Sequence, residues 1–374
     1  MWISRILFWF SSALVGWVLA GYPAVLALLP RRPLRSRSDG AEGSNKSDDR
    51  SELPSVTIIV PTYCEHDRLA GKLQTLTELD YPDDRLQVVV VSDGDPELAQ
   101  IARATLPDAT VLLMDERGGK PRALNMGIKA AEGEILILTD AHSPLEPSSV
   151  QTLCRPLRDP TVAAVSGRWA EEGSAYDLYE HVLRLLESRT GSTAGVFGAL
   201  LAVRRDSLPP FPADVINDDL WLLCRLIRAG GRVVYEPGAH AIEAPLEHDA
   251  QIVRRARITA GRMQLLDEVA SLPPSFAWRL VSHKVGRLAL PGLLLTAFAS
   301  SCLLARRPLY RVFALVQVAF YLLGLAGARG FDPPSPARPV VRAATQFLVG
   351  NAGIVLGVVR AARRRQSVHW DRAR

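Results

Sequence analysis

Cysteine is scarce in this 374-residue chain and poorly spaced for chemistry. Cys64, Cys154, Cys224 and Cys302 stand far apart and form no Cys-x-x-Cys pair. That spacing argues against a disulfide framework and against a thiolate zinc site. A strong excess of one charge is also missing. The formal net charge is only +5, and part of it lies in basic clusters beside apolar runs. Such a pattern suits anionic membrane lipid better than nucleic acid, so no nucleic-acid partner is expected.

Charge is absent altogether from Ile6 to Leu29. This run is about long enough to cross a hydrocarbon core of ~30 Å. A cleaved signal peptide would have a shorter apolar stretch with basic residues ahead of it; here Arg31, Arg32, Arg35 and Arg37 follow. Residues 1–32 therefore read as an uncleaved transmembrane anchor. The arginines are expected to stay in the cytosol, with the domain that follows. Residues 33–54 contain a Ser-, Gly- and charge-rich stretch and read as a flexible linker.

From residue 55 to 270 strands and helices alternate. Short β-branched or apolar runs at 56–60, 86–93, 110–114 and 134–140 predict strands, and 65–78, 96–104 and 121–131 predict helices. The class is α/β, with a mostly parallel sheet covered on both faces. Ligands of such sheets gather at the carboxyl ends of the strands. Three of those ends are polar here: Pro61-Thr62-Tyr63, Ser92-Asp93-Gly94 and Asp140-Ala141-His142.

Residues 271–374 read as an interfacial helix and a transmembrane region. Phe276 to Arg287 is expected to lie along the membrane surface. Leu288 to Ala305 and Pro308 to Ala328 are expected spans around an Arg306-Arg307 turn, and Ala343 to Val359 is a third candidate. Three crossings after a cytosolic domain would leave Arg360, Arg363, Arg364 and Arg365 outside, against the positive-inside tendency.

Four clusters carry the candidate chemistry. Asp218 and Asp219 follow Asn217, a good helix N-cap, and open an amphipathic helix. Favourable interaction with the helix dipole explains one of these acids better than two. Asp140 ends a buried strand two residues before His142, and an Asp-x-His pair can hold a divalent cation that keeps several waters. A plain turn ahead of Pro144 is the competing reading. Gly118-Gly119-Lys120-Pro121 starts a helix with a close-approach backbone and positive charge, which makes a natural anion site. Asp93 closes the second strand, where it can accept from a uracil N–H or a ribose hydroxyl, or simply form an Asp-Gly turn.

In this order the pieces resemble the inverting family 2 glycosyltransferases of the GT-A fold, related to cellulose, hyaluronan and chitin synthases, from about Val56 to Leu266. PTYCE (61–65) resembles the nucleotide loop, with Cys64 where Asn is common. SDG (92–94) resembles the uridine-contacting acid. GGKPRALN (118–125) resembles the Gly-Lys-x-x-Ala-Leu-Asn segment. TDAH (139–142) occupies the place of the metal-binding acidic motif, and ESRTGSTAGVFGALLAVRR (187–205) precedes NDD (217–219), the acceptor-side motif whose last aspartate acts as base. Gln251-Ile-Val-Arg254-Arg255 resembles the QxxRW motif of processive members, with Arg in place of Trp.

The resemblance implies a multi-pass enzyme of the bacterial cell membrane that transfers sugar from a nucleotide-sugar, with UDP expected, to a sugar or lipid-linked acceptor. It implies donor binding by Pro61, Thr62, Tyr63, Glu65, Asp93, Lys120, Asn125, Asp140, Gln251, Arg254 and Arg255. Asp140 and His142 would hold Mg2+ or Mn2+, and Asp219, beside Asp218, would act as base. The rivals are a polyprenyl-phosphate glycosyltransferase and a catalytically silent nucleotide-sugar-binding scaffold.

Overall fold

The computed structural model describes residues 1–35, 53–170, 175–242, 247–363 and 366. Most of the expected linker, Arg37, residues 364–365 and the tail after 366 lie outside them. In chain order the elements are α1 (Trp2–Leu28), β1 (Val56–Thr62), α2 (His66–Thr77), β2 (Leu86–Ser92), α3 (Pro96–Thr105), β3 (Thr110–Leu113) and α4 (Lys120–Ala130). Then come β4 (Ile135–Thr139), α5 (Ser149–Cys154), β5 (Val162–Ala170), α6 (Ala175–Thr190), β6 (Leu200–Arg204), α7 (Asp218–Arg228), β7 (Arg232–Ile242) and α8 (His248–Gln264). Three long helices follow: α9 (Pro274–Leu303), α10 (Pro308–Ala328) and α11 (Arg338–Ala362).

The seven strands form one sheet in the order β3-β2-β1-β4-β6-β5-β7. Only β6 runs antiparallel to its neighbours β4 and β5. The expected mostly parallel α/β sheet is therefore present. Its interior strand β1 is buried along its whole length, as the unbroken VTIIV run requires. Period-two alternation sends Ile58 and Val60 into the core under α2, α3 and α5, while Ile59 faces α4 and α7. Helix α2 buries Leu69, Lys72, Leu73 and Leu76, an i, i+3, i+4, i+7 stripe in which the lysine stands out.

The chain leaves α1 docked against the domain. Arg32 N–H donates to Arg189 O at 2.7 Å, Arg35 N–H donates to Asp159 Oδ2 at 2.9 Å, and Arg232 Nη2 donates to Arg32 O at 2.7 Å. Residues 33–35, expected in the flexible linker, thus belong to this ordered seam.

Among the described residues four helices, α1, α9, α10 and α11, are long and apolar enough to cross a membrane. Phe276 to Arg287 departs from expectation. It is not a separate surface helix but the first part of α9, continuous through a π-helical turn at Val281–Val285. Its polar side chains Arg279, Ser282, His283, Lys284 and Arg287 are buried. The physical reason is that α6 presents Glu180 and Glu187 to them, so the polar face meets protein instead of headgroups.

Helix α11 lies against two partners. Its first half packs on the end of α10, where a Cβ on Gly324 would meet Ala344 O at 2.8 Å. Its second half packs on α8, where a Cβ on Gly353 would meet Arg255 Cβ at 2.6 Å, and one on Gly357 would meet Ala256 O at 2.5 Å.

Candidate active site

The carboxyl ends of β1, β2 and β4 lie side by side, because Thr62 is in register with Ser92 and Ile59 with Leu138. Thr139 faces Leu200, so the Gly198 turn before β6 reaches the same edge. Each expected cluster hangs from this edge.

Lys120 is the hub. It is the first residue of α4, placed by Gly119 at φ +83°, a backbone conformation suited to glycine. Its Nζ lies 2.7 Å from Asp140 Oδ1 and 3.3 Å from Asp218 Oδ2. One ammonium thus joins the strand-end acid to the acidic pair of α7. Burial works against the Lys120 charge, but Asp140 and Asp218 outweigh it and raise the pKa. Burial would likewise raise Asp140, yet Lys120 and His142 hold its carboxyl well below the usual range.

Asp219 differs from Asp140. Burial first, and the neighbouring Asp218 second, push its pKa up to about 6, against the pull of Lys120. Its Oδ1 accepts the Leu220 N–H at 2.6 Å, and Gly198 packs so closely that a Cβ there would lie 3.1 Å from Asp219 Cβ. Asn217 occupies the N-cap position but makes no side-chain cap bond. Lys120, Thr139, Gly198, Asp218 and Asp219 line one recess.

Several expected donor-binding residues are engaged differently. Both Asp93 oxygens accept main-chain bonds, from Gly118 N–H at 2.6 Å and Gly119 N–H at 2.9 Å. Asp93 therefore pins the glycine turn that launches Lys120. The adjacent Gly94, at φ +74°, lets the Arg117 backbone pass where a Cβ would sit 2.8 Å from its nitrogen. Glu65 Oε1 is taken up by His142 Nδ1 at 2.7 Å, which aims the other ring nitrogen elsewhere. Tyr63 lies beneath the Arg117 guanidinium at 4.0 Å. Pro61 and Thr62 are buried in β1, and Thr62 Oγ1 has no hydrogen-bond partner among the described residues. Cys64, where the family favours Asn, has φ +56°, which Asn tolerates better than Cys.

Asn125 and Arg255 make protein contacts of their own. The Asn125 amide both donates to Phe211 O and accepts from Phe211 N–H, each at 2.8 Å, so it clasps the main chain of the 205–217 segment. Arg255 donates to the Tyr176 hydroxyl at 3.0 Å and lies under α11. It faces α11 because the helical turn separates it from Arg254 by about 100°. Arg254 does act on the site: its charge lowers the Asp140 pKa, and its guanidinium lies 5.3 Å from the Trp169 ring. Gln251 lies about one turn before it on α8.

Lys72 is the residue the sequence reading missed. It is 1% exposed, and its Nζ donates to Thr139 Oγ1 at 2.9 Å and to Ser143 O. It thus braces both ends of the segment carrying Asp140 and His142. Burial lowers its pKa to about 7, with Asp140 opposing. The available signal was a lysine on the apolar stripe of α2.

Among the described residues no group of three or more His, Cys, Asp and Glu side chains could hold a metal ion. A hard cation bound with a nucleotide diphosphate needs only one or two protein ligands, its other positions going to phosphate and water. Asp140 and His142 fit such a site, with Glu65 holding the imidazole.

Residues 57–208 match the family described as Glycosyl transferase family 2, and residues 135–329 match Glycosyl transferase family group 2. An N-acetylglucosaminyltransferase of Rhizobium meliloti is 25% identical over 325 residues, covering 78% of this chain and 75% of that protein. Glycosyltransferase AglE of Haloferax volcanii is 26% identical over 249 residues, covering 62% and 82%. Among solved structures, the mannosyltransferase PcManGT from Pyrobaculum calidifontis, in complex with GDP-Man and Mn2+, is similar at a TM-score of 0.73 and 26% identity, covering 97% of this chain and 99% of that one. The match over residues 135–329 spans just over half of the chain, and this chain belongs to Glycosyl transferase family group 2.

Proposed function

We propose that the protein transfers a sugar, with inversion, from a nucleotide-sugar to an acceptor held at the membrane. One observation carries this reading: Lys120 bridges Asp140 and Asp218, with Asp219 beside them at the ligand edge of the sheet. These are the groups needed at the two ends of a glycosyl transfer.

Lys120 and Arg254 supply positive charge for the donor's diphosphate. Asp140 and His142 would hold Mg2+ or Mn2+, which when bound neutralises charge on the departing diphosphate. The Mn2+ in the similar mannosyltransferase supports a divalent ion. The acceptor oxygen bonds to the anomeric carbon on the face opposite the diphosphate. The carbon–oxygen bond to phosphate breaks with its electron pair, and the hydroxyl proton passes to Asp219. Inversion follows from that geometry. A carboxylate with a pKa of about 6 is ionised near neutrality and is a better base than an ordinary aspartate. A UDP-sugar is the expected donor, and the GDP-Man bound by the similar structure supports a GDP-sugar as second reading.

The packing of α11 on α8 supports three crossings, by α1, α9 and α10, with α11 lying along the catalytic domain. Arg360 and Arg363 then stay on the domain's side, as the positive-inside tendency favours. This removes the conflict raised by a fourth crossing.

The test is a screen of UDP- and GDP-sugars for transfer by membranes containing the protein, with Asp219→Asn alongside. The variant is expected to lose roughly 10²–10⁴-fold in turnover while binding nucleotide normally. Near-normal turnover would show that Asp219 is not the base.

A further inference from the structure

Where α6, α8 and α9 meet, Arg184, Arg255, Arg262, Lys284 and Arg287 outnumber the carboxylates Glu180 and Glu187 among the described residues; Lys284 and Arg287 are buried and the other three half-buried. Glu180 is 4% exposed. Its carboxylate faces Lys284 Nζ at 3.3 Å, His283 Nε2 at 3.2 Å, Arg184 Nη2 at 3.4 Å and Arg287 Nη1. The other buried carboxylate, Glu187, is already satisfied by the Tyr22 hydroxyl, His283 Nδ1 and the Ala194 N–H.

Two guanidiniums converge on one phenol: Arg255 Nη1 at 3.0 Å and Arg287 Nη1 at 3.3 Å from the Tyr176 hydroxyl. Arg287 is 5% exposed and its Nη2 has no hydrogen-bond partner among the described residues. Burial, together with Arg287 and Arg255, pushes Arg262 down to about 10 against the pull of Tyr176. Burial would raise Tyr176, but Arg255, then Arg287 and Lys284, outweigh it and bring the phenol down to about 8 despite Glu180. A cation withdrawn from water without counter-charge is unfavourable, so this excess among the described residues suits an anion.

The cluster adjoins the acceptor side. A Cβ on Gly195 would lie 2.7 Å from Lys284 Nζ, and Gly198, three residues on, packs against Asp219. The charge on Lys284 reaches Asp219. Beyond Arg287 helix α9 becomes apolar, so the cluster sits at the membrane boundary.

We propose that this cluster binds the phosphate of a lipid-linked acceptor, held by Arg255, Arg262, Lys284 and Arg287 while the group it carries reaches Asp219. This rests on the glycosyl-transfer reading and adds the acceptor's chemical class, a phosphate- or diphosphate-bearing lipid. Guanidinium forks suit phosphate oxygens, and the partnerless Arg287 Nη2 is a ready donor.

The test uses the full chain in neutral-lipid nanodiscs and follows the melting temperature and binding of a short polyprenyl phosphate and polyprenyl diphosphate. Inorganic phosphate and phosphatidylglycerol are the competitors. Nucleoside diphosphate binding is measured alongside, so that loss of this site is separated from failure of the glycosyl-transfer reading. The wild type is expected to bind a polyprenyl probe and to melt higher with it. Arg262→Gln should bind it at least tenfold more weakly with nucleotide binding unchanged. Without probe, the variant should melt no lower than the wild type, since it has lost a half-buried cation among other cations. Binding by Arg262→Gln equal to the wild type would overturn the proposal. So would no polyprenyl binding by a wild type that still binds nucleotide, or displacement by phosphatidylglycerol at equal concentration.

Discussion

Side chains at the sheet edge take their properties from their neighbours more than from their type. Asp140 and Asp219 are both half-buried aspartates, yet Lys120 and His142 hold one ionised, while burial and Asp218 raise the other to about 6. The sign gives a pH prediction. The base must be ionised, so kcat/KM should rise with pH through about 6 and then level off. Asp218→Asn removes the like charge, so Asp219 ionises more easily and the acid limb should move to lower pH; an unmoved limb in the measured profile would contradict the pairing. Lys72→Met should leave the fold intact but loosen the Asp140 segment, weakening Mn2+ binding by roughly 10–100-fold, as titration of Mn2+ against the purified protein would show. The motif acids and Lys120 were legible because charged residues at strand ends have few structural uses. Lys72 was not, since a lysine at a core position contradicts its type. Nor were the partners of Glu65, Asp93 and Asn125, which depend on loops that only the folded chain brings together.

Among the elements, the buried strands β1, β2 and β4 were plain from unbroken β-branched runs, and α7 from its leucine face after Asn217. The helix over 276–287 was misread because its polar face looks the same whether it meets headgroups or Glu180 and Glu187. Periodicity reports that a face is polar, not what covers it. The same limit applied to α11, whose apolar length suits a span but whose Gly353 and Gly357 are fitted to α8. If α11 lies along the domain, a cysteine replacing Arg360 should react with an impermeant maleimide only from the side that bears the catalytic domain. Labelling from the opposite face alone would restore a fourth crossing.

For the whole molecule, the sheet brings four distant segments to one edge, and the long apolar helices α9 and α11 pack against α6 and α8. Function depends on that convergence more than on any single motif, because Asp93 sets the glycine turn, the turn sets Lys120, and Lys120 ties Asp140 to Asp218. The most direct test is calorimetric titration of UDP and GDP into the purified protein with Mn2+, with EDTA, and in Asp140→Asn. The account predicts binding of at least one nucleotide with Mn2+, weakened tenfold or more both by EDTA and by Asp140→Asn. Equal affinity under all three conditions would contradict it.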